Sequence, residues 1–341
     1  MRRAHIGSLL ASLVLMFSIS ACSQSPPASQ PQAQPPAVAE PAKKVDEAAG
    51  LAGPAAAEPA ATATAAEPAE AAEEHKATTT EGAPGEKDFE EIDPNNFDRP
   101  TTIDNKWFPL IPGTQYVYEG STEQDGESIP HRVIFTVTDL TKEINGIRTL
   151  VVYDSDFSDG VAQELELTYF AQDNDGNVWH LGQYYELYDA GEFLGGRLWY
   201  VGLPAGAKAG IMMQANPQLG TPSYSEGYSP PPFSWTDRAR VFQMGQRTTV
   251  ITGSYEDVLV VEEFSREEPG AKQLKYYAQG VGVIRVGWAG TDDTKERLEL
   301  AEHRVLSPEE LAEVRQQALT LEEHAYMYCT TSPAEQMSPN Q

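Results

Sequence analysis

The chain has 341 residues, with 24 lysines and arginines against 51 aspartates and glutamates, and a formal net charge of −27. An acidic protein of this kind repels nucleic acid and anionic lipid surfaces, so we expect no nucleic-acid partner. Only two cysteines are present, Cys22 and Cys329, and no Cys-x-x-Cys spacing points to redox chemistry.

The first 21 residues have the pattern of a lipoprotein signal peptide. Arg2 and Arg3 precede an apolar run that is too short to span a membrane and that ends in small residues. The run closes on Ile19, Ser20, Ala21 and Cys22, which resembles the bacterial lipobox. In that family the cysteine is acylated, with palmitate among its chains, and becomes the mature N-terminus. We therefore predict a membrane anchor at Cys22; ordinary secretion with a chance cysteine is the alternative.

The residue after the cysteine and the segment that follows predict the location of the domain. In Gram-negative lipoproteins an aspartate directly after the lipidated cysteine resembles an inner-membrane retention signal. Ser23 stands at that position here, which favours the outer membrane, facing the periplasm. Residues 22–94 are rich in Ala, Pro and Glu and contain no Trp or Tyr. Such a segment buries too little apolar surface to offset its ordering entropy, so we predict a disordered spacer with a reach of roughly 45 Å.

Residues 95–305 predict a mainly β domain. Apolar side chains alternate in "RVIFTVTD", "ELELTYF", "QLKYYA" and "RLELAE", as they do in strands with two different faces. Asp125-Gly126, Asn145-Gly146, Asp159-Gly160 and Asp175-Gly176 are typical of tight hairpin turns. We therefore predict a curved antiparallel sheet, either a half-barrel or a barrel-like meander.

The C-terminal region predicts a helix and a tail. Ser307, Pro308 and Glu310 form a capping-box pattern at the start of a helix placed at residues 306–328. Residues 329–341 are predicted to be disordered, with Cys329 an incidental thiol.

The stretch "AQDNDGNVW" at residues 171–179 resembles a calcium loop at first sight. When Gly176 is aligned with the loop glycine of an EF-hand, Ala171 and Gly182 occupy the two end-ligand positions. We therefore predict a hairpin turn, no metal and no cofactor. An oxygen cage assembled across hairpins from Asp154, Asp156, Asp159 and Glu164 is the alternative.

Four segments together resemble a family of uncharacterised bacterial secreted proteins and lipoproteins. They are "NKWFPLIPGTQYVYEG" (105–120), "YFAQDNDGNVWHLG" (169–182), "AGIMMQANPQLG" (209–220) and "KYYAQGVGVIRV" (275–286). Members are similar to the patterns PLxPGTxYxYEG, YAQDxxGNVW and KYYAxGVG, and the last also occurs in lipoproteins that resemble the half-barrel of periplasmic lipoprotein carriers. The resemblance implies a secreted β-domain and assigns no activity.

Aromatic residues supply the candidate binding site. We interpret Trp107, Tyr118, Tyr169, Trp179, Tyr184, Trp199, Tyr200, Met212 and Tyr276 as the lining of a concave face. The alternative is that half of these rings simply fill the core, as strand propensity alone predicts. The predicted function is a non-catalytic module that binds an apolar small molecule or an envelope protein.

The alternative function is an envelope hydrolase that uses carboxylates, with or without calcium. Glu119, Glu164 and Glu166 are its candidate acid and base residues. No serine has the G-x-S-x-G pattern and no histidine pair has zinc spacing, so we name no catalytic residue.

The Cys22→Ser substitution tests the anchor. Because acylation at Cys22 is the predicted membrane attachment, the variant is expected in the soluble fraction, and the wild type is expected to carry the mass of acyl chains. Fractionation and intact-mass measurement check this. A membrane-bound variant together with an unmodified wild-type mass would contradict it.

Overall fold

The computed structural model describes residues 85–231 and 233–338. The predicted signal peptide, Cys22 and the spacer up to residue 84 lie outside the described residues, as do the last three residues of the predicted tail. Within the described ranges, no helix is both long and apolar enough to cross a membrane.

The described residues form a strand-rich fold with a C-terminal helix. The strands are β1 (Thr114–Gln124), β2 (Glu127–Ile144), β3 (Ile147–Ser158), β4 (Val161–Gln172), β5 (Val178–Asp189), β6 (Glu192–Tyr200), β7 (Lys208–Met213), β8 (Tyr224–Ser225), β9 (Gly227–Tyr228), β10 (Asp237–Val250), β11 (Gly253–Ser265), β12 (Ala271–Ala278), β13 (Gly282–Gly290), β14 (Arg297–Val305) and β15 (Glu335–Gln336). The helix α1 spans Pro308–Ala325, and a 3-10 turn spans Pro94–Asn96.

All strands belong to one open antiparallel sheet. Its order is β8-β10-β11-β12-β13-β14-β1-β2-β3-β4-β5-β7-β9, with β6 paired to β5 and β15 paired to β2. The end strands β8 and β9 are separated in sequence only by Glu226, so the sheet must curl until its two ends meet at residues 224–228, which we call the seam. The predicted fold class, a curved antiparallel sheet with a C-terminal helix, is confirmed.

The predicted hairpin turns explain why successive strands pair. Asp125, Asn145 and Asp159 have φ of 53°, 50° and 49°, and the glycines after them also have positive φ. Two positive φ angles in a two-residue loop define a type I′ turn, which matches the right-handed twist of the strands it joins. Asp and Asn tolerate this conformation and Gly adopts it without a steric cost, so these dipeptides specify the turns.

Curling gives the sheet an inner and an outer face. Alternate residues of β3 and β4, among them Leu150, Val152 and Phe170, point inward into the main apolar core. Trp107 and Phe108, from the segment before β1, also pack into this core, and Phe108 makes an edge-to-face contact with Phe170 at 5.6 Å. The inner face is therefore filled by apolar side chains at this end.

Helix α1 covers part of the outer face. Ser307 Oγ accepts from the Glu310 amide at 3.2 Å and Glu310 Oε2 accepts from the Ser307 amide at 2.7 Å, so the predicted capping box is formed. Lys142 Nζ of β2 lies 2.7 Å from Glu322 Oε1 of the helix, and the lysine side chain is 0 % exposed. Removing either partner would leave a buried charge unpaired, which costs about 3–5 kcal/mol.

Two boundaries of the domain differ from those predicted. Glu335 pairs with Thr141 and Gln336 with Leu140, so the tail predicted to be disordered from residue 329 follows an ordered path to residue 338. The buried Lys142 ammonium also donates to the Ser332 carbonyl, which gives this polar segment a fixed partner.

At the other boundary, Arg238 donates to the carbonyl oxygens of Lys87 and Asp88, at 3.0 Å each. Lys87 and Asp88, predicted as part of the spacer, therefore lie against the domain.

Candidate functional site

The predicted aromatic lining is divided between the two faces of the sheet. Tyr169, Tyr184 and Tyr200 lie on the outer face, on the side of α1. The hydroxyls of Tyr169 and Tyr200 are 3.5 Å apart, and Tyr184 donates to Glu186 at 2.6 Å. Glu186 also contacts His324 of the helix at 2.9 Å. Tyr184 thus links the sheet to the helix through Glu186, and none of the three tyrosines belongs to the main apolar core.

Trp179, Met212 and Tyr276 occupy separate places. Trp179 donates through Nε1 to Asp173 at 2.8 Å and so secures the turn before β5. Met212 and Tyr276 are half-buried against the main core, and the Arg285 guanidinium lies 5.3 Å from the Tyr276 ring.

The remaining predicted residues, Trp107, Tyr118 and Trp199, are buried within the curled sheet. Tyr118 donates to the Val283 carbonyl at 3.0 Å, so its hydroxyl is satisfied within the protein. Trp199 is 0 % exposed and belongs to a cluster with Tyr185, Phe233 and Trp235, which we call the aromatic cluster. The nine predicted residues therefore do not form one wall.

The stretch at residues 171–179 forms the predicted hairpin turn. Asp173 accepts from the Asn177 amide at 2.8 Å, from Asn177 Nδ2 at 2.9 Å and from Trp179 Nε1. Both oxygens of this carboxylate are thus engaged in closing the turn between β4 and β5. Within the described ranges, no group of three or more acidic, histidine or cysteine side chains has the arrangement of a metal site. The absence of bound calcium stays a prediction.

What the structure does bring together is a set of inner carboxyl groups. Asp154 of β3 lies directly opposite Glu166 of β4, and Asp156 lies opposite Glu164. The charges of these side chains act on one another and on carboxyl groups across the curled sheet. We call the following set the inner acid cluster: Asp154, Asp156, Glu164, Glu166, Glu226, Glu263 and Glu296. It outnumbers the basic side chains whose charges act in or beside it: His131, Arg197, Arg238 and Lys275.

One half of the inner acid cluster surrounds His131. The imidazole Nε2 lies 2.9 Å from Glu296 Oε1, and Nδ1 lies 3.5 Å from Asp156 Oδ1 and 3.1 Å from Ser158 Oγ. Burial alone would lower the pKa of His131, but the hydrogen bond to Glu296 and the charge of Asp156 outweigh it and raise that pKa above 6.5. The imidazole is therefore more readily protonated than a solvated histidine.

The other half lies at the seam, and we call it the seam cluster: Tyr224, Glu226, Glu263, Lys275 and Tyr277. Lys275 Nζ lies 2.6 Å from Glu263 Oε2. Four buried oxygens around this ion pair have no hydrogen-bond partner among the described residues: Glu226 Oε1, Glu263 Oε1 and the two tyrosine hydroxyls. None of their residues is more than 5 % exposed.

Burial favours the protonated form of several of these acids. Burial, followed by the charges of Glu164 and Glu296, raises the pKa of Asp154 to about 8. Burial also raises the pKa values of Asp156, Glu166 and Glu226 well above the ordinary range. A protonated carboxyl group costs less to bury than a carboxylate, so the cluster stores protons that a cation would displace.

Two acids from the earlier hypotheses lie elsewhere. Glu119, predicted to act with Glu164 and Glu166, is exposed, and it lies on the opposite side of β1 from the inward-facing Tyr118. Asp159 occupies its exposed turn, so the proposed oxygen cage loses one of its four members. His131, Glu226, Glu263, Lys275 and Glu296 were not predicted as site residues.

Comparisons with known proteins give little further guidance. No family model and no curated protein matches the chain, so its resemblance to a secreted family stays a prediction. One similar solved structure is that of a protein from Bacteroides fragilis described as exported and having a YmcC-like fold, with 11 % identity and a TM-score of 0.34 over 59 % of this chain and 99 % of that one. Another, described as a lipoprotein from Parabacteroides distasonis, has 10 % identity and a TM-score of 0.31 over 59 % of this chain and 100 % of that one. Likenesses this weak carry no functional argument.

The Asp154→Asn substitution tests the proton content of the cluster. Because the pKa of Asp154 rises from 3.8 to about 8 on folding, its contribution to stability is complete below about pH 4 and is lost as the pH rises through 8. Asparagine mimics the protonated acid, so the melting temperature of the variant is expected to exceed that of the wild type by a margin that grows by several degrees between pH 5 and 8.

The matched control is Asp159→Asn, which removes a carboxyl group from the exposed turn at the end of β3. Its effect on the melting temperature is expected to be small across the same range. If the difference in melting temperature between Asp154→Asn and the wild type stays constant or shrinks as the pH rises, the raised pKa assigned to Asp154 is contradicted.

Proposed function

We propose that this chain is a lipid-anchored envelope protein whose folded domain binds, without transforming it, a small ligand with an apolar body and a basic group. The observation that carries the proposal is the inner acid cluster, in which buried carboxyl groups exceed the basic groups around them. A basic group of a ligand would replace protons held by these acids, in surroundings where charge interactions are stronger than in water.

Solvent reaches the cluster, so a ligand group has a possible approach. The side chain of Asp156 is 14 % exposed and that of Lys275 is 12 % exposed. The hairpin turns after β1, β3 and β5 all lie at this end of the sheet, opposite the turns after β2 and β4. An opening toward the acids at this end of the sheet would be bordered by these turns.

The aromatic cluster supports the apolar part of the ligand. Trp199 and Trp235 lie 6.3 Å apart beside the seam, and their indole N–H groups have no partner among the described residues. A Cβ added at Gly227 would stand 2.8 Å from the Trp199 ring, which shows how closely these rings approach the residue that follows Glu226. Aromatic faces attract both hydrocarbon chains and cations.

The predicted anchor and spacer fit this role. Lipidation at Cys22 would hold the protein at the outer membrane, and the spacer would let the domain reach ligands or envelope proteins in the periplasm. A basic segment of an envelope protein also combines apolar side chains with basic groups. Such a segment is the alternative ligand for this binding function.

A hydrolase is the second candidate, because Ser158, His131 and Glu296 form a hydrogen-bonded series. Ser158 Oγ is 3.1 Å from His131 Nδ1, and Glu296 Oε1 is 2.9 Å from His131 Nε2. The raised pKa of His131 argues against it, since it disfavours the neutral imidazole that would accept the serine proton. Direct cross-strand pairing of His131 with Ser158 also accounts for their contact without any catalytic role.

Titration calorimetry of the mature polypeptide without its anchor cysteine, residues 23–341, tests the binding function with three probes of equal chain length. The cation n-octylamine is expected to bind saturably and at least about tenfold more tightly than the anion octanoate, which the acids repel. Neutral 1-octanol is expected to fall between them, since it shares only the apolar contacts.

The proposal fails if octanoate binds as tightly as n-octylamine, or if no probe shows saturable binding. Turnover of p-nitrophenyl acetate that disappears in Ser158→Ala would instead support the hydrolase.

A further inference from the structure

We infer that the seam cluster is a subsite for a primary ammonium group, with Glu226 as its principal acceptor. This inference rests on the proposed function and specifies which kind of basic group the ligand carries and where that group is held. The observation that supports this inference independently is the set of four buried oxygens without a hydrogen-bond partner. In a cluster of acids that needed no ligand, neighbouring side chains would be expected to satisfy these oxygens.

Glu226 is the acid most clearly prepared for an external partner. Its residue is 2 % exposed, and no other described side chain forms a hydrogen bond with its Oε1. Lys275, whose charge also acts on Glu226, forms its 2.6 Å ion pair with the neighbouring Glu263. The main chain fixes Glu226 in place, because its amide donates to the Asp237 carbonyl at 3.0 Å and its carbonyl oxygen lies 3.0 Å from His180 Nδ1.

The geometry favours an N–H donor over a quaternary cation. Glu226 Oε1, Glu263 Oε1 and the Tyr224 and Tyr277 hydroxyls all can accept hydrogen bonds. A primary ammonium carries three N–H donors, which oxygens of this kind accept. A trimethylammonium group of the same charge would leave them all unpaired, and an unpaired buried polar atom costs about 1–3 kcal/mol.

Charge balance links binding to proton release. Burial, followed by the charge of Glu263, raises the pKa of Glu226 well above its ordinary range, which favours the protonated carboxyl group when the subsite is empty. An arriving R–NH3⁺ pairs with the carboxylate, and the carboxyl proton leaves for the solvent. The titratable and charged side chains that act on Glu226 or on the adjacent tyrosines are Glu90, Tyr118, Tyr224, Asp237, Arg238, Glu263, Lys275 and Tyr277.

The test compares n-octylamine with n-octyltrimethylammonium on the mature polypeptide by calorimetry at pH 7.5. The primary amine is expected to bind at least about tenfold more tightly, because it alone donates N–H groups. Repeating its titration in phosphate and in HEPES, which differ in ionisation enthalpy and contain no primary amine, is expected to show release of about one proton per bound amine.

Two variants locate the subsite. Glu226→Gln preserves the shape of the side chain but removes its charge and its titrating proton, so it is expected to weaken amine binding at least about tenfold and to abolish the proton release. Glu166→Gln is the matched comparison in the other half of the inner acid cluster and is expected to have the smaller effect. Tyr277→Phe removes one hydrogen-bond acceptor. It is therefore expected to lower the ratio of the affinity for n-octylamine to the affinity for n-octyltrimethylammonium.

The outcomes separate this inference from the function on which it rests. Equal affinity for the two amines, binding without proton release, or a larger loss in Glu166→Gln than in Glu226→Gln would overturn the seam subsite and leave the binding function standing. If none of the octyl probes binds saturably, the binding function itself falls. The variants are expected to melt at or above the melting temperature of the wild type. This control shows that they fold.

Discussion

Asp154 and Glu166 face each other across β3 and β4, and the next inward pair, Asp156 and Glu164, repeats the arrangement. Like charges directly opposite one another destabilise a sheet, and burial adds a desolvation cost to each. The fold therefore tolerates these pairs only if protons or cations neutralise them. The chemistry that we assign to the domain follows from this constraint, because the same neutralising role is open to a ligand with a positive charge.

The curl of the sheet extends this constraint from one hairpin to the whole inner face. β3 and β4 lie far from β11 and β12 in the order of strands, yet the charge of Lys275 acts on both Asp154 and Glu226. The seam makes this possible, since residues 224–228 bring the two ends of the sheet together. Gly227 is required there, because its φ of 134° and its contact with Trp199 leave no room for a side chain.

Much of the fold could be predicted from local pattern. The Asp-Gly and Asn-Gly dipeptides determine three tight turns, alternation assigns the long strands, and Ser307 with Glu310 marks the start of α1. The irregular composition of residues 189–240 concealed the first half of β6, all of β7 and the seam, because Gly and Pro there interrupt the alternation on which strand prediction depends. The order around Glu335 was equally hidden, since it depends on a buried lysine that is distant in sequence.

The site was harder to predict than the fold. Counting aromatic residues could not show which face of the sheet each one occupies. The bulge between Tyr169 and Phe170, in the pairing of β4 with β5, also changes the regular alternation of side chains between the two faces. A signal was present in "DSD" and "ELE" on successive strands, which predicts four acids on one face once the turn at Asp159-Gly160 sets the register. Glu226, Glu263 and Glu296 join them only through the curl, which no local pattern encodes.

The central claim is that carboxyl groups inside the sheet hold their protons at neutral pH. A ¹³C-carboxyl NMR titration of the mature polypeptide, labelled at aspartate and glutamate side chains, measures this directly. The account predicts that several resonances titrate above pH 6, and that those of Asp154 and Glu226, assigned by substitution, are among them. If every carboxyl resonance titrates below about pH 5, the inner acids are ionised at neutral pH, and the account is contradicted.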